Sequence, residues 1–400
     1  MTAPKLRFKE FDGDWGKKKF SEQFNFHNTN SYSRALLAEQ GEIMNIHYGD
    51  IHTKFSMLFD VKEEAVPFLS GEVDTNKIAE NQFLQVGDLV IADASEDYKD
   101  IGKAIEVINL DNQKVVAGLH TYIARPVERC AIGFNGYLMQ TFEVREQIKK
   151  LATGISVLGI SKTNLGKVEL KIPCLAEQTK IASFLSAVDE KISQLSQKLH
   201  LLSQYKQGMM KKLFSQQIRF KADDGSEFGE WENSYIGNEC KITTGNKDTQ
   251  NKVDDGLYPF FVRSQTVEKI NSYSMDCEAI LTSGDGVGVG KNYHYMNGKF
   301  DFHQRVYCLY EFSERLIGRY LYIYFSNYFY DRVKRLSAKN SVDSVRMDMI
   351  SKMEIKLPCL EEQTKIANFL SAIDQKIEVV AQQIEQAKTW KTGLLQQMFV

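Results

Sequence analysis

His303, Gln304 and Arg305 stand side by side in the chain. Arginine can grip the O6/N7 edge of guanine with two hydrogen bonds, and glutamine can do the same with adenine. Residues 337–346 offer Lys339, Asn340, Ser341 and Arg346, just after Arg332, Lys334 and Arg335. That preceding basic run falls on a predicted helix and suits phosphate contact. Nearer the start, "HYGDIHTKF" carries His47, Tyr48, His52 and Lys54. His47, Asp50 and His52 could bracket a cation on a loop, but three ligands alone make a poor metal site. Hydrogen bonding within the loop, or contact with an outside ligand, is the plainer reading. The acidic stretch "DASEDYKD" from Asp93 can accept hydrogen bonds from cytosine amino groups, or can simply be a solvated loop.

Catalytic motifs are tested and fail. The glycine-rich "SGDGVGVGKN" misses the phosphate-loop pattern, which needs glycine where Asp285 stands and Ser or Thr where Asn292 stands. It misses the dinucleotide fingerprint as well, because the last glycine would fall on Lys291. What remains is either a flexible turn leaving a strand or a turn whose glycines bring backbone N–H groups and Lys291 close to a phosphate. The six prolines (4, 67, 126, 173, 259, 358) include no adjacent pair, so the "DPPY"-type signature of amino-methyltransferases is missing. Glu169-x-Lys171 and Glu354-x-Lys356 match a nuclease fragment without its upstream Pro-Asp, and strand alternation predicts that these charges simply point outward. The six cysteines form no CxxC pair and are expected to be small buried residues, Cys174 and Cys359 included. No metal site is predicted.

What must position these loops is a repeat. Residues 171–192 and 356–377 are identical at seventeen of 22 positions. After Pro173, apolar residues fall at Ile181, Leu185, Val188, Ile192, Leu195, Leu199 and Leu202. After Pro358 they fall at Ile366, Leu370, Ile373, Ile377, Val380, Ile384 and Ala387. Alternating steps of four and three make a coiled-coil seam. Both seams are expected to continue through an aromatic, Tyr205 or Trp390. Two such seams in one chain satisfy each other most simply, and the connectivity predicts an antiparallel pair with a head near each end and a pseudo-two-fold axis. The heads are weakly related. Each opens with "RFK" and a Gly-acidic-Trp, and each closes with "GKVELKIP" or "SKMEIKLP". The predicted architecture is a two-headed α/β (α+β) protein. Its parts are a head at 1–172, a helix at 173–216, a second head at 217–357 and a second helix at 358–400.

Here the chain resembles the specificity subunits of type I restriction–modification systems. The carriers are "PCLAEQTKIASFLSAVDEKI" and "PCLEEQTKIANFLSAIDQKI", with "GDLVIADASEDYKDIGKA", "VVAGLHTYIARP" and "GDGVGVGKN" in the heads. The resemblance implies that each head reads half of a bipartite DNA target in the major groove. It also implies that the helices set the gap and dock two methyltransferase subunits, joined by motor–nuclease subunits for restriction. S-adenosylmethionine would then belong to the methyltransferases and ATP and Mg to the motor, with no cofactor in this chain. On the matching head segments, Ser95, Tyr98, Lys103, His120, Ser283, Asp285, Lys291 and Asn292 join the DNA-contact candidates.

Composition fits these expectations. Net charge is −2, which excludes a histone-like positive blanket. Basic residues are nonetheless concentrated: from 198 to 221 there are six and no acidic ones. No apolar run approaches the ~20 residues that cross a bilayer, and the first residues lack a signal-peptide core. The chain is read as cytoplasmic. A coiled-coil adaptor binding only proteins is the alternative, and a stand-alone DNA-modifying enzyme a weaker one. Salt-dependent DNA binding with a methyltransferase partner, or activity of the isolated chain, separates them.

Overall fold

The computed structural model describes residues 3–336 and 344–399. The chain divides into two compact units. One contains the residues up to Gln197 together with those from Ala381 onward; the other is Lys198–Val380. Two long helices, Leu175–Phe214 and Leu360–Met398, each give one part to each unit. In the first unit Asp189 pairs with Lys391 at 2.5 Å and Phe184 meets Trp390 edge-on; in the second Lys206 pairs with Asp374 at 2.5 Å. Within each unit, a part of one long helix thus packs against a part of the other. Ile181, Leu185 and Val188 are buried in the first unit's core with Leu394 and Met398, and Ile366, Leu370 and Ile373 in the second unit's core with Met210 and Leu213. Fully burying one such side chain contributes ~1.5–3 kcal/mol. The seam does not continue through the aromatics, however. Tyr205 and Trp390 are 51% and 54% exposed, because the step of four that follows Leu202 and Ala387 falls on Lys206 and Lys391, one residue further on, and from there the buried stripe runs on to Leu213 and to Leu394 and Met398.

Each unit closes its head with a two-stranded antiparallel shoulder, Gly16–Lys19 with Glu169–Ile172 in the first and Glu232–Tyr235 with Glu354–Leu357 in the second. In both closing strands the acidic residue (Glu169, Glu354) is exposed and the next residue (Leu170, Ile355) is buried, as alternation requires. Directly beyond each shoulder, the "EQT" of the repeat builds a clamp. In the first unit, Arg7 Nε and Nη2 donate to the two carboxylate oxygens of buried Glu177, both at 2.8 Å. Arg7 also donates to the carbonyls of Gly13 and Asp12. In the second, Arg219 Nε and Nη2 donate to Glu362 at 3.1 and 2.7 Å, and Trp231 Nε1 adds a third bond at 2.9 Å. The phenylalanine of each "RFK" packs edge-on against the repeat: Phe8 on Phe184, Phe220 on Phe369. The next repeat residue is equally occupied. Gln178 accepts from Ala131 N–H and donates to the Pro173 carbonyl; Gln363 accepts from Ile317 N–H and donates to the Pro358 carbonyl.

The head interiors differ. The first holds a five-stranded sheet, in spatial order Phe24–His27, Thr121–Pro126, Leu89–Ala92, Ala104–Asn109 and Leu58–Asp60, beside a four-stranded one. The second holds one six-stranded sheet, in which the long strands Met275–Ser283 and Tyr293–Phe302 pair antiparallel. Within the first head, Glu106 is buried and accepts N–H groups from Gly133 and Gly136 at 2.7 and 2.6 Å. Burial pushes its carboxyl up to about 7, against the opposing effect of those donors. The cysteines split. Cys240 and Cys308 are buried, but Cys174 and Cys359 are exposed, because each precedes the first helical turn instead of facing the core.

Candidate nucleic-acid interface

In the first head, four of the predicted residues come together. The ring of Tyr48 lies 4.6 Å from that of His47, 5.4 Å from His120 and 6.2 Å from His52. A short helix, Tyr48–Thr53, starts there because His47 caps it: Nδ1 accepts the Gly49 N–H at 3.1 Å. Burial, followed by the charge of Arg34, depresses the His47 pKa, so the ring stays neutral and can accept that bond. The strand pair behind supplies the rest. His52 Nε2 meets the Ala94 carbonyl, Lys103 donates to the His52 carbonyl, and His120 Nδ1 lies 3.1 Å from Asp93. His120 itself has φ +57, a backbone position that a non-glycine residue adopts at a cost, and it presents an exposed imidazole. Lys54 pairs with buried Asp50, which also holds Arg34. Ser95 is buried and ties the turn at Asp97, while Tyr98 lies outside the cluster, exposed and under the ammonium of Lys149. His47, Asp50 and His52 are thus each engaged with the head itself, and no metal-holding group of His, Cys, Asp and Glu occurs among the described residues.

In the second head the predicted residues separate into two sets. Ser283, Asn292 and His303 lie inside, where they hold loops instead of facing outward. Asn292 donates to the Ser283 hydroxyl and to the Arg263 carbonyl; His303 Nδ1 accepts the Arg305 N–H at 2.9 Å. Burial, then the charge of Arg263, depresses the His303 pKa, which keeps that acceptor available. Lys291, Gln304, Arg305 and Arg346 are exposed, with Asp285 half-buried among them. Asp285 accepts from Arg263 Nη1 at 3.1 Å and lies 3.7 Å from Arg305 Nε. Arg346 stands at the residue before the helix Met347–Ser351, and its side chain makes no capping bond there. Lys339, Asn340 and Ser341 lie outside the described residues. Arg332 does not face outward as a free phosphate contact: its Nε and Nη2 donate to the Met349 and Lys352 carbonyls.

The glycine-rich turn is largely a packing requirement. A Cβ on Gly288 would fall 2.1 Å from Asn292 Nδ2, and one on Gly290 (φ +66) 2.3 Å from Tyr330 Cδ2. Only at Gly286 does the space outside stay open, beside Val287, which is almost fully exposed. Sequence reasoning missed Arg263 and Arg34. Neither has a motif around it, Arg34 following Ser33 and Arg263 the buried Val262, and only the tertiary approach of separate segments gives them a carboxylate partner.

Comparison with known proteins accounts for both halves. The family model for the type I restriction modification DNA specificity domain matches residues 13–203 and again 229–389. The type I restriction enzyme MjaVIII specificity subunit of Methanocaldococcus jannaschii is 28% identical over 292 residues, spanning 65% of this chain and 68% of that protein. The putative MjaX specificity subunit of the same organism is 25% identical over 364 residues, or 86% and 81%. The crystal structure of a type I restriction–modification S subunit from M. genitalium covers 100% of this chain and 99% of its own at a TM-score of 0.66, with 14% identity, a likeness of fold. With the family model matched twice over most of its length, this chain belongs to the type I restriction modification DNA specificity family.

Proposed function

We propose that the chain is the DNA-reading subunit of a type I restriction–modification complex and performs no chemistry itself. Each head reads one half of a bipartite, asymmetric target, and the long helices fix the gap and carry two methyltransferase subunits. Motor–nuclease subunits complete the restriction form. S-adenosylmethionine is bound by the methyltransferases, and ATP and Mg by the motor.

The observation that carries this reading is the clamp. Arg7–Glu177 and Arg219–Glu362 hold, by the same atoms of the same repeat, two heads whose sheets have different strand orders. A chain that keeps its mounts and varies what is mounted suits paired recognition of two different half-sites. The exposed His120 in one head and Arg305 and Gln304 in the other supply groups suited to base edges. Beside the first unit's helix, an open groove of about 880 Å³ lined by Thr179, Ser183, Val127 and Ile132 offers mixed apolar and polar surface for a methyltransferase.

The test is to co-express the chain with its methyltransferase subunit and map methylated sites in genomic DNA. A two-part motif is expected, and replacing residues 217–357 by another head changes one part only. A single contiguous motif, or a replacement that alters both parts, refutes the proposal.

A further inference from the structure

We infer that the second head reads guanine, through a pair of arginines, Arg263 and Arg305, held by one carboxylate, Asp285. This rests on the DNA-reading role proposed above and assigns chemistry to it. Arg263, Asp285 and Arg305 come from three separate segments, and buried groups pin the backbone of each. Asn292 Nδ2 donates to the Arg263 carbonyl at 3.0 Å. The Arg305 N–H bonds to His303 Nδ1 at 2.9 Å, and its carbonyl accepts the Gly284 N–H at 2.7 Å. Val345 N–H closes the other side of Gly284 at 2.7 Å. The two arginine side chains remain 46% and 66% exposed.

The carboxylate decides what these arginines can bind well. Asp285 takes Nη1 of Arg263 and lies against the Nε side of Arg305. Each guanidinium carries five N–H donors, so an outward edge is left on both. A phosphate brought to that edge would meet the negative charge of Asp285 a few ångströms behind it, and like charges at such separations repel. A guanine edge is neutral and presents two acceptors at the spacing of the guanidinium fork. A buttressing carboxylate therefore weakens phosphate binding and orients the fork for a base. Lys291, exposed on the adjoining turn, has no such partner among the described residues and is the better phosphate contact.

The experiment is methylation mapping of the complex with R305A, R305K, R263A and D285N. Expected in the wild type is guanine in the half-site assigned to residues 217–357 by head replacement. R305A and R263A each relax one guanine position in that half, with discrimination falling roughly ten- to a hundredfold, and leave the other half intact. R305K keeps the charge but lacks the fork, so it relaxes the same position as R305A. D285N loosens both positions while total DNA affinity at low salt holds or rises. Uniform loss of methylation at all sites with a shallower salt dependence would mean phosphate contact and overturns the inference. So does a half-site without guanine, or R305K behaving as wild type. If no two-part motif appears at all, the underlying function fails first.

Discussion

The clamp makes a quantitative prediction. Glu362 is buried and accepts three hydrogen bonds, two from Arg219 and one from Trp231; Glu177 accepts two, both from Arg7. Buried Trp15, the counterpart of Trp231, finds no partner for its indole N–H among the described residues. Removing one member of a buried ion pair costs about 3–5 kcal/mol, because the other is left charged and unpaired. The arginine side chains are 16% and 21% exposed, so water recovers part of that, and about 2–4 kcal/mol is expected for E177A or E362A. The indole bond adds about 1 kcal/mol to the second site alone, so E362A should be the more damaging. Replacing both partners with methionine (R219M/E362M) should recover most of the loss, because no charge is left stranded. Urea unfolding, with the transition of each unit followed separately by tryptophan fluorescence and circular dichroism, measures these values. If E362A costs under 1 kcal/mol, or the double variant is as unstable as the sum of the singles, the carboxylate is not what holds the head on its mount.

Two further outcomes follow from single residues. Gly102 has φ +64 and its added Cβ would lie 2.7 Å from Ile148 Cγ2, so G102A should combine left-handed strain with overpacking and cost about 2–4 kcal/mol in urea unfolding. Two carboxyls give the units opposite pH responses. The Glu106 carboxyl, raised to about 7 by burial, contributes stability that is complete below its ordinary 4.5 and is lost as pH climbs to about 7. The Glu239 carboxyl is lowered to about 2 by hydrogen bonds from Arg315, against burial, and with help from Ser234 and Ser313. Its contribution is complete above 4.5 and is lost as pH falls toward 2. Unfolding midpoints from pH 3 to 8 should show both slopes, with E106Q flattening only the neutral one.

The helices and shoulders were legible because they obey periodic rules. Ile181, Leu185 and Val188 fall in the predicted stripe, and Glu169 and Glu354 alternate outward in their strands. Past Leu202 the aromatics were a misreading of the pattern: the seam positions fall on Lys206 and Lys391, and Tyr205 and Trp390, one residue short of them, are more than half exposed. The clamp was half legible. "RFK" and "EQT" each stood out as repeated, but nothing in a linear sequence couples Arg7 to Glu177 across 170 residues. The head surfaces were least legible. Residue type alone could not separate His303, which is buried, from Gln304 and Arg305, which are exposed, because that depends on which side of a turn each falls.

Of the atoms the head interiors contribute at the clamp glutamines, those of Ala131 and Ile317 are peptide N–H groups, which every amino acid except proline possesses. At these two points mutation can change the interior side chain without removing the bond that ties it to the repeat. On the function proposed above, a lineage carrying such a chain would acquire new targets one half at a time, by drift or by exchange of a whole module, with the mounts of both heads kept.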